Sequence, residues 1–165
     1  RAASGVRLVS ADPNVAVVEI DGRRERLTLG SAVSATYSKP QRQEVRILKD
    51  GSGSYRIDGL INGQPVRFLV DTGATSVAMS EGQARRLGIS HVVDGRRIGV
   101  RTAGGGRVGH AVTLRSLSVG GLELENVRAV VIEGDDPRNV LLGMSALGAF
   151  EMEQRENLLV LREKF

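Results

Sequence analysis

One stretch of the chain, Phe68-Leu69-Val70-Asp71-Thr72-Gly73-Ala74-Thr75, combines residue types that can carry out hydrolytic chemistry. An apolar run delivers a carboxylate, Asp71, into a turn whose next two residues are a hydroxyl, Thr72, and a glycine, Gly73. A carboxylate placed straight after a buried strand loses part of its hydration, the setting in which carboxyl groups act in proton transfer. Gly73 leaves room beside it for a substrate backbone, and the Thr72 hydroxyl can orient the loop. As a bare tripeptide, Asp-Thr-Gly reads more readily as a turn capped by its own aspartate, and it is the surrounding segments that favour chemistry. Other chemistries are poorly supplied. There is no cysteine, and the two histidines, His91 and His110, have no Gly-x-Ser-x-Gly elbow to serve. Thiolate metal sites are excluded, and no metal or organic cofactor is expected. Asp135-Asp136 before Pro137 reads as a solvated turn rather than a cation site.

Two further segments bear on Asp71. Ala103-Gly104-Gly105-Gly106 lies between Arg96–Val100 and Val108–Leu114, both suited to strands. Three glycines at a hairpin tip make a mobile loop; a phosphate cradle is disfavoured, because no Gly-Lys-Ser/Thr follows. Leu141-Leu142-Gly143 reads as a short core strand ending at a glycine that lets another backbone come close.

The elements that must position these residues are mostly strands. Asp21-Gly22, Asn62-Gly63 and Gly120-Gly121 each sit between apolar stretches, a pattern that favours hairpins with positive φ at the turn. They predict pairs over 15–20 and 23–29, 55–61 and 65–70, and 112–119 and 122–132, with Glu123 and Glu125 facing water. A closing hairpin is expected over 151–154 and 158–162. Two short helices are expected, Ser80–Leu87 with Ser80 as N-cap and Gly88 as stop, and Met144–Phe150. The Ser- and Gln-rich stretch around Pro40 divides the chain into a small N-terminal β element (1–40), a linker (41–52) and a main domain (53–165).

Composition limits the partners. The chain has 165 residues, two Tyr, three Phe and no Trp, so its core is aliphatic and base-stacking platforms are not expected. The net charge of +4 comes from scattered arginines rather than a block, which reads as a solvated surface and not as a nucleic-acid footprint. No apolar run approaches the length that spans a bilayer. The chain begins at Arg1 rather than Met, which raises the expectation of a removed signal or anchor segment.

Over about residues 53–165, the order and spacing of Asp71-Thr72-Gly73-Ala74, Ala103-Gly104-Gly105-Gly106 and Leu141-Leu142-Gly143 resemble the retropepsin-type aspartic proteases, above all bacterial members attached to the membrane and facing the periplasm. The resemblance implies an all-β closed barrel with two short helices and aspartic endopeptidase activity on extended polypeptides. Asp71 is then the catalytic residue, Thr72, Gly73, Ala74 and Gly143 form and support its loop, and Ala103 to Gly106 form a substrate-binding flap. The flap departs from the retroviral pattern in lacking bulky apolar residues at its tip. Aspartic proteolysis needs two carboxylates sharing a proton, and this chain has one Asp-Thr-Gly. The second is expected from an identical chain across a twofold axis, with Leu158-Leu159-Val160-Leu161 suited to a shared sheet. The resemblance also implies a periplasmic place, with the membrane reached only through a missing N-terminal anchor. The alternative is a non-catalytic dimerisation or peptide-binding module of the bacterial envelope.

Overall fold

The computed structural model of the chain describes residues 6–12, 15–20, 22–28 and 43–164. The chain divides into two compact units, Arg1–Gln41 and Arg42–Phe165. In the first, β1 (Val6–Ala11), β2 (Val15–Ile20) and β3 (Arg23–Thr28) form an antiparallel meander with a register shift between Leu8 and Ser10. The expected hairpin over β2 and β3 is present, and Gly22 takes a φ of 78°. Asp21 and the stretch 29–42, which includes the first two residues of the expected linker, lie outside the described residues.

The second unit is a sheet that closes on itself. Its strands are β5 (Arg56–Ile61), β6 (Gln64–Val70), β7 (Val77–Ser80), β8 (Arg96–Thr102), β9 (Gly105–Val119), β10 (Leu122–Ile132) and β11 (Val140–Leu142). They run in the order β10-β7-β11-β6-β5-β9-β8, and a further β10–β9 pairing completes a ring, leaving β8 outside it. The turns are those the dipeptides demanded: Asn62 and Gly63 have φ of 50° and 81°, Gly120 and Gly121 of 56° and 96°. Strand alternation does the rest. Leu122 is buried and Glu123 and Glu125 are exposed, so β10 shows one face to the interior. The core is aliphatic as expected, with Phe68, Ile61, Met79, Leu114, Leu117 and Leu142 all fully buried.

Among the described residues three short helices are present, one more than expected: α1 (Glu81–Arg86), α2 (His91–Asp94) and α3 (Met144–Leu147). Four-residue α2 has no apolar period of its own to announce it. Among the described residues no helix is long and apolar enough to cross a membrane.

The third sheet corrects two expectations. β12 (Phe150–Arg155) and β13 (Leu158–Glu163) form the expected closing hairpin, but β4 (Glu44–Leu48) pairs with the far edge of β13. Part of the expected linker over 41–52 is therefore a strand. Its buried Val45 and Ile47 alternate with the exposed Glu44, Arg46 and Leu48, a period masked by the polar composition around it. Because β4 and β12 occupy both edges of β13, Leu158 to Leu161 cannot offer an edge to a second chain; the outward edges of this sheet belong to β4 and β12.

Candidate active site

The turn carrying Asp71 is built by an insertion. The strand that enters it, β6, and the strand that leaves it, β7, are not neighbours, because β11 lies between them. β11 runs parallel to β6, with Val140, Leu141 and Leu142 opposite Phe68, Leu69 and Val70, and Leu141 also pairs with Ala78 of β7. At the end of this ladder the Asp71 N–H donates to the Leu142 carbonyl at 3.1 Å. The turn then closes on its own side chain: the Gly73 N–H donates to Asp71 Oδ1 at 2.9 Å and the Ala74 N–H to the Asp71 carbonyl at 3.2 Å. Asp71 is half-buried. A Cβ at position 73 would sit 3.2 Å from Asp71 Oδ1, a tight contact that the carboxylate would have to yield to by a few tenths of an ångström.

Gly143 supports this turn from behind. A Cβ there would lie 2.1 Å from the Ser76 carbonyl oxygen and 2.8 Å from that of Ala74, so only glycine allows the two backbones to touch. The next residue fastens the contact, the Met144 N–H donating to the Ala74 carbonyl at 2.8 Å. Ser145 adds a clamp that the sequence reading did not assign: its Oγ accepts from the Val77 N–H at 2.9 Å and donates to the Arg128 carbonyl at 2.7 Å. It thereby joins α3 to the start of β7 and to β10.

In front of the turn lies a cavity of about 580 Å³ bordered by Asp71, Gly73 and Ala74 on one side and Thr102, Ala103 and Gly104 on the other. The last three form the tip of the β8–β9 hairpin, where Thr102 pairs with Gly105 and its Oγ1 donates to the Gly105 carbonyl at 2.9 Å. Gly105, with a φ of 106°, turns the chain into β9. The expected four-residue tip is thus narrower: Ala103 and Gly104 border the cavity, whereas Gly105 and Gly106 already belong to the strand. Val130, Ile132 and Leu141 give the cavity apolar walls.

Thr72 and Gly143 do not border the cavity. Thr72 is exposed beside Asp71, and its hydroxyl makes no hydrogen bond among the described residues. Three charged residues that line the cavity, Arg101, Arg107 and Asp136, were not assigned to the site from the sequence. Arg107 shares a hairpin face with Val100, its partner across the ladder, and both border the cavity. Asp136, read as solvated, also borders it, next to the cis bond to Pro137. The loop holding Asp136 is tied to α1 by the Gly134 N–H, which donates to Glu81 Oε2 at 3.1 Å. That bond, ahead of a weaker contribution from His91, holds the Glu81 carboxyl below its usual range.

The histidines are elsewhere. His91 and His110 pack edge to face, ring centroids 5.5 Å apart, with His110 Nε2 3.3 Å from Glu133 Oε1 and no serine joined to either. Among the described residues no group of three or more His, Asp or Glu side chains is arranged to hold a metal ion.

Comparison with known proteins agrees with this geometry. Residues 57–149 match a family model described as "gag-polyprotein putative aspartyl protease". An uncharacterized protein in the cobV 5′ region of Sinorhizobium sp is 32% identical over 150 residues, 88% of this chain and 64% of that protein. The uncharacterized protein RP867 of Rickettsia prowazekii is 31% identical over 108 residues, 66% of this chain and 46% of that one. The chain thus spans less than two thirds of the length of either relative. Among solved structures, a retropepsin-like aspartic protease from Rickettsia conorii superposes with a TM-score of 0.65 at 30% identity, covering 74% of this chain and 92% of that one. The inserted strand, the aspartate turn it supports and these matches together place the chain in the family of retropepsin-like aspartic proteases.

Proposed function

We propose that this protein is an aspartic endopeptidase that cleaves extended polypeptide segments as a homodimer, with one Asp71 from each protomer at a shared site. One observation carries the reading: Asp71 borders a cavity that is also lined by the tip of a two-stranded hairpin. A volume of about 580 Å³ is of the size that holds several side chains of a peptide, and its walls mix apolar surface with a few polar groups.

The chemistry follows from pairing two such turns. Two carboxyl groups about 3 Å apart cannot both ionise readily, so they share one proton and titrate as a unit. The charged member takes a proton from a water held between them. The neutral member donates to the carbonyl oxygen of the scissile bond, and the oxygen of the water adds to the carbonyl carbon. Proton return to the leaving nitrogen breaks the C–N bond and restores the pair. The Gly73 and Ala74 N–H groups are spent within the turn and that of Asp71 on the Leu142 carbonyl of β11, so the turn is held without help from substrate. The exposed Thr72 hydroxyl is free to bond across the twofold axis, and the hairpin tip excludes water above the substrate. A periplasmic or membrane-facing place is a further part of this reading and rests on the resemblance alone.

Asp71→Asn tests it, because asparagine keeps the Oδ1 that accepts from Gly73. Cleavage of a mixed peptide pool is expected to fall by roughly 10²-fold or more, with melting temperature and mass in solution retained. Undiminished cleavage by the variant would remove the reading. The dimer is tested separately: specific activity should fall on dilution in step with dissociation measured by light scattering, and a fully active monomer would contradict a shared site.

A further inference from the structure

A second cavity of the main unit, about 400 Å³, shares no lining residue with the first. It lies where the start of β6, the last turn of α1 and the segment leading into β11 meet. Each of these elements contributes one arginine, Arg67, Arg86 and Arg138, and no carboxylate lines the space. Arg67 is already paired, its Nε donating to Asp58 Oδ1 at 2.8 Å and its Nη2 to Oδ2 at 3.3 Å. Arg86 and Arg138 have no side-chain partner among the described residues. Two arginines without a side-chain partner among the described residues therefore line one concave surface together with a third.

We propose that this cavity binds a small oxyanion carrying two or more negative charges, of the phosphate-ester or polycarboxylate class. Guanidinium groups present planar forks of N–H donors that match oxyanions in bidentate fashion, and such charge-assisted bonds are the strong ones. The amides of Gln64 and Asn139 lie on the same walls and can bond the remaining oxygens. The volume suits a small molecule rather than a length of folded partner.

The frame holding the arginines is already rigid. Buried Gln83 spends its whole amide on it: Oε1 accepts from the Ser80 N–H at 2.8 Å, and Nε2 donates to the Arg138 carbonyl at 2.8 Å. That second bond ties α1 to the segment bearing Arg138. The pairing of Phe68 with Val140 ties the same segment to β6, which bears Arg67. The backbone bearing the arginines is thus already in place, which leaves only their side chains to be ordered on binding. The proposal does not depend on the activity of Asp71, because the cavity is formed by other residues.

The test is a titration of the protein with inorganic pyrophosphate at fixed ionic strength, read by calorimetry and by thermal unfolding, with citrate as a second arm and sodium chloride as the control. Saturable binding of one pyrophosphate per chain, with a melting temperature that rises with ligand concentration, is expected. Saturation by pyrophosphate alone identifies a phosphate site, and saturation by citrate alone identifies a polycarboxylate site. The double variant Arg86→Ala/Arg138→Ala should bind at least tenfold more weakly. The double variant Arg96→Ala/Arg115→Ala removes the same charge elsewhere and should bind as the unsubstituted protein does. Absence of saturation in both arms, or an equal loss in both double variants, would overturn the proposal.

Discussion

At Gly143 the smallest possible change meets the most resistance. An added methyl group would press on the Ser76 and Ala74 carbonyls, both backbone atoms of the turn that seats Asp71. Gly143→Ala is therefore expected to cost about 1–3 kcal/mol in stability, measured by denaturant unfolding, and to disturb the turn itself. Loss of protection of the Asp71 and Met144 amides in hydrogen exchange should accompany it. Asp71, its glycine and Gly143 were legible in the sequence because their roles follow from local chemistry, a carboxylate, a tight turn and a close approach. Gln83 and Ser145 were not assigned, although Ser80 and Gln83 carry the spacing of a capping box, which α1 forms. Their other partners, Arg138 and Arg128, lie far along the chain, and nothing local names them. Arg107 and Asp136 were missed for the same reason: a cavity joins them to Asp71 across three separate elements.

Among the elements, the β8–β9 hairpin depends on a single backbone conformation. Gly105 has a φ of 106°, a region that side-chain-bearing residues rarely enter, while open space surrounds the position of its missing Cβ. Gly105→Ala should therefore act through strain and not through clash, at about 1–3 kcal/mol. Faster exchange of amides in β8 and the first half of β9 is expected, with the amides of β5 and β6 unchanged. Equal acceleration throughout the ring would show that the hairpin does not open on its own. The hairpins were readable because their dipeptides fix turn geometry, and α1 because its cap and stop flank it. β4 was hidden by its surroundings, since two buried residues in a basic, polar stretch form too short an alternation to stand out.

For the molecule as a whole, the three-stranded sheet is laced by one side chain. Arg162 of the central strand donates to Glu44 on one side at 3.0 Å and to Glu153 on the other at 2.9 Å, spanning β4, β13 and β12. These bonds from Arg162, followed by those from Arg46 and Arg155, hold both carboxyls below the usual value of 4.5. A carboxyl lowered in the folded state binds its proton more readily once unfolded. Its contribution is thus complete above pH 4.5 and is lost as the pH falls below that value. Arg162→Ala should move the acid-unfolding midpoint to higher pH, as followed by circular dichroism, and high salt should narrow the difference from the unsubstituted protein. An unchanged midpoint would assign acid sensitivity to other groups. At this scale the sequence was least explicit. The parallel pairings of β6 with β11 and of β7 with β10 join distant segments that no local pattern links; the resemblance implied only that Gly143 supports the Asp71 loop.

The dependence of the Asp71 turn on Leu142 and Gly143 also sets a timetable for biosynthesis. Half of the turn's scaffold comes from Leu142 and Gly143, far downstream of Asp71, so a nascent chain paused short of residue 140 lacks the carbonyl and the close backbone that hold the turn. Any hydrolysis this carboxylate performs waits until residues 140–144 have emerged, and the ribosome and the earlier polypeptide are spared from it until then.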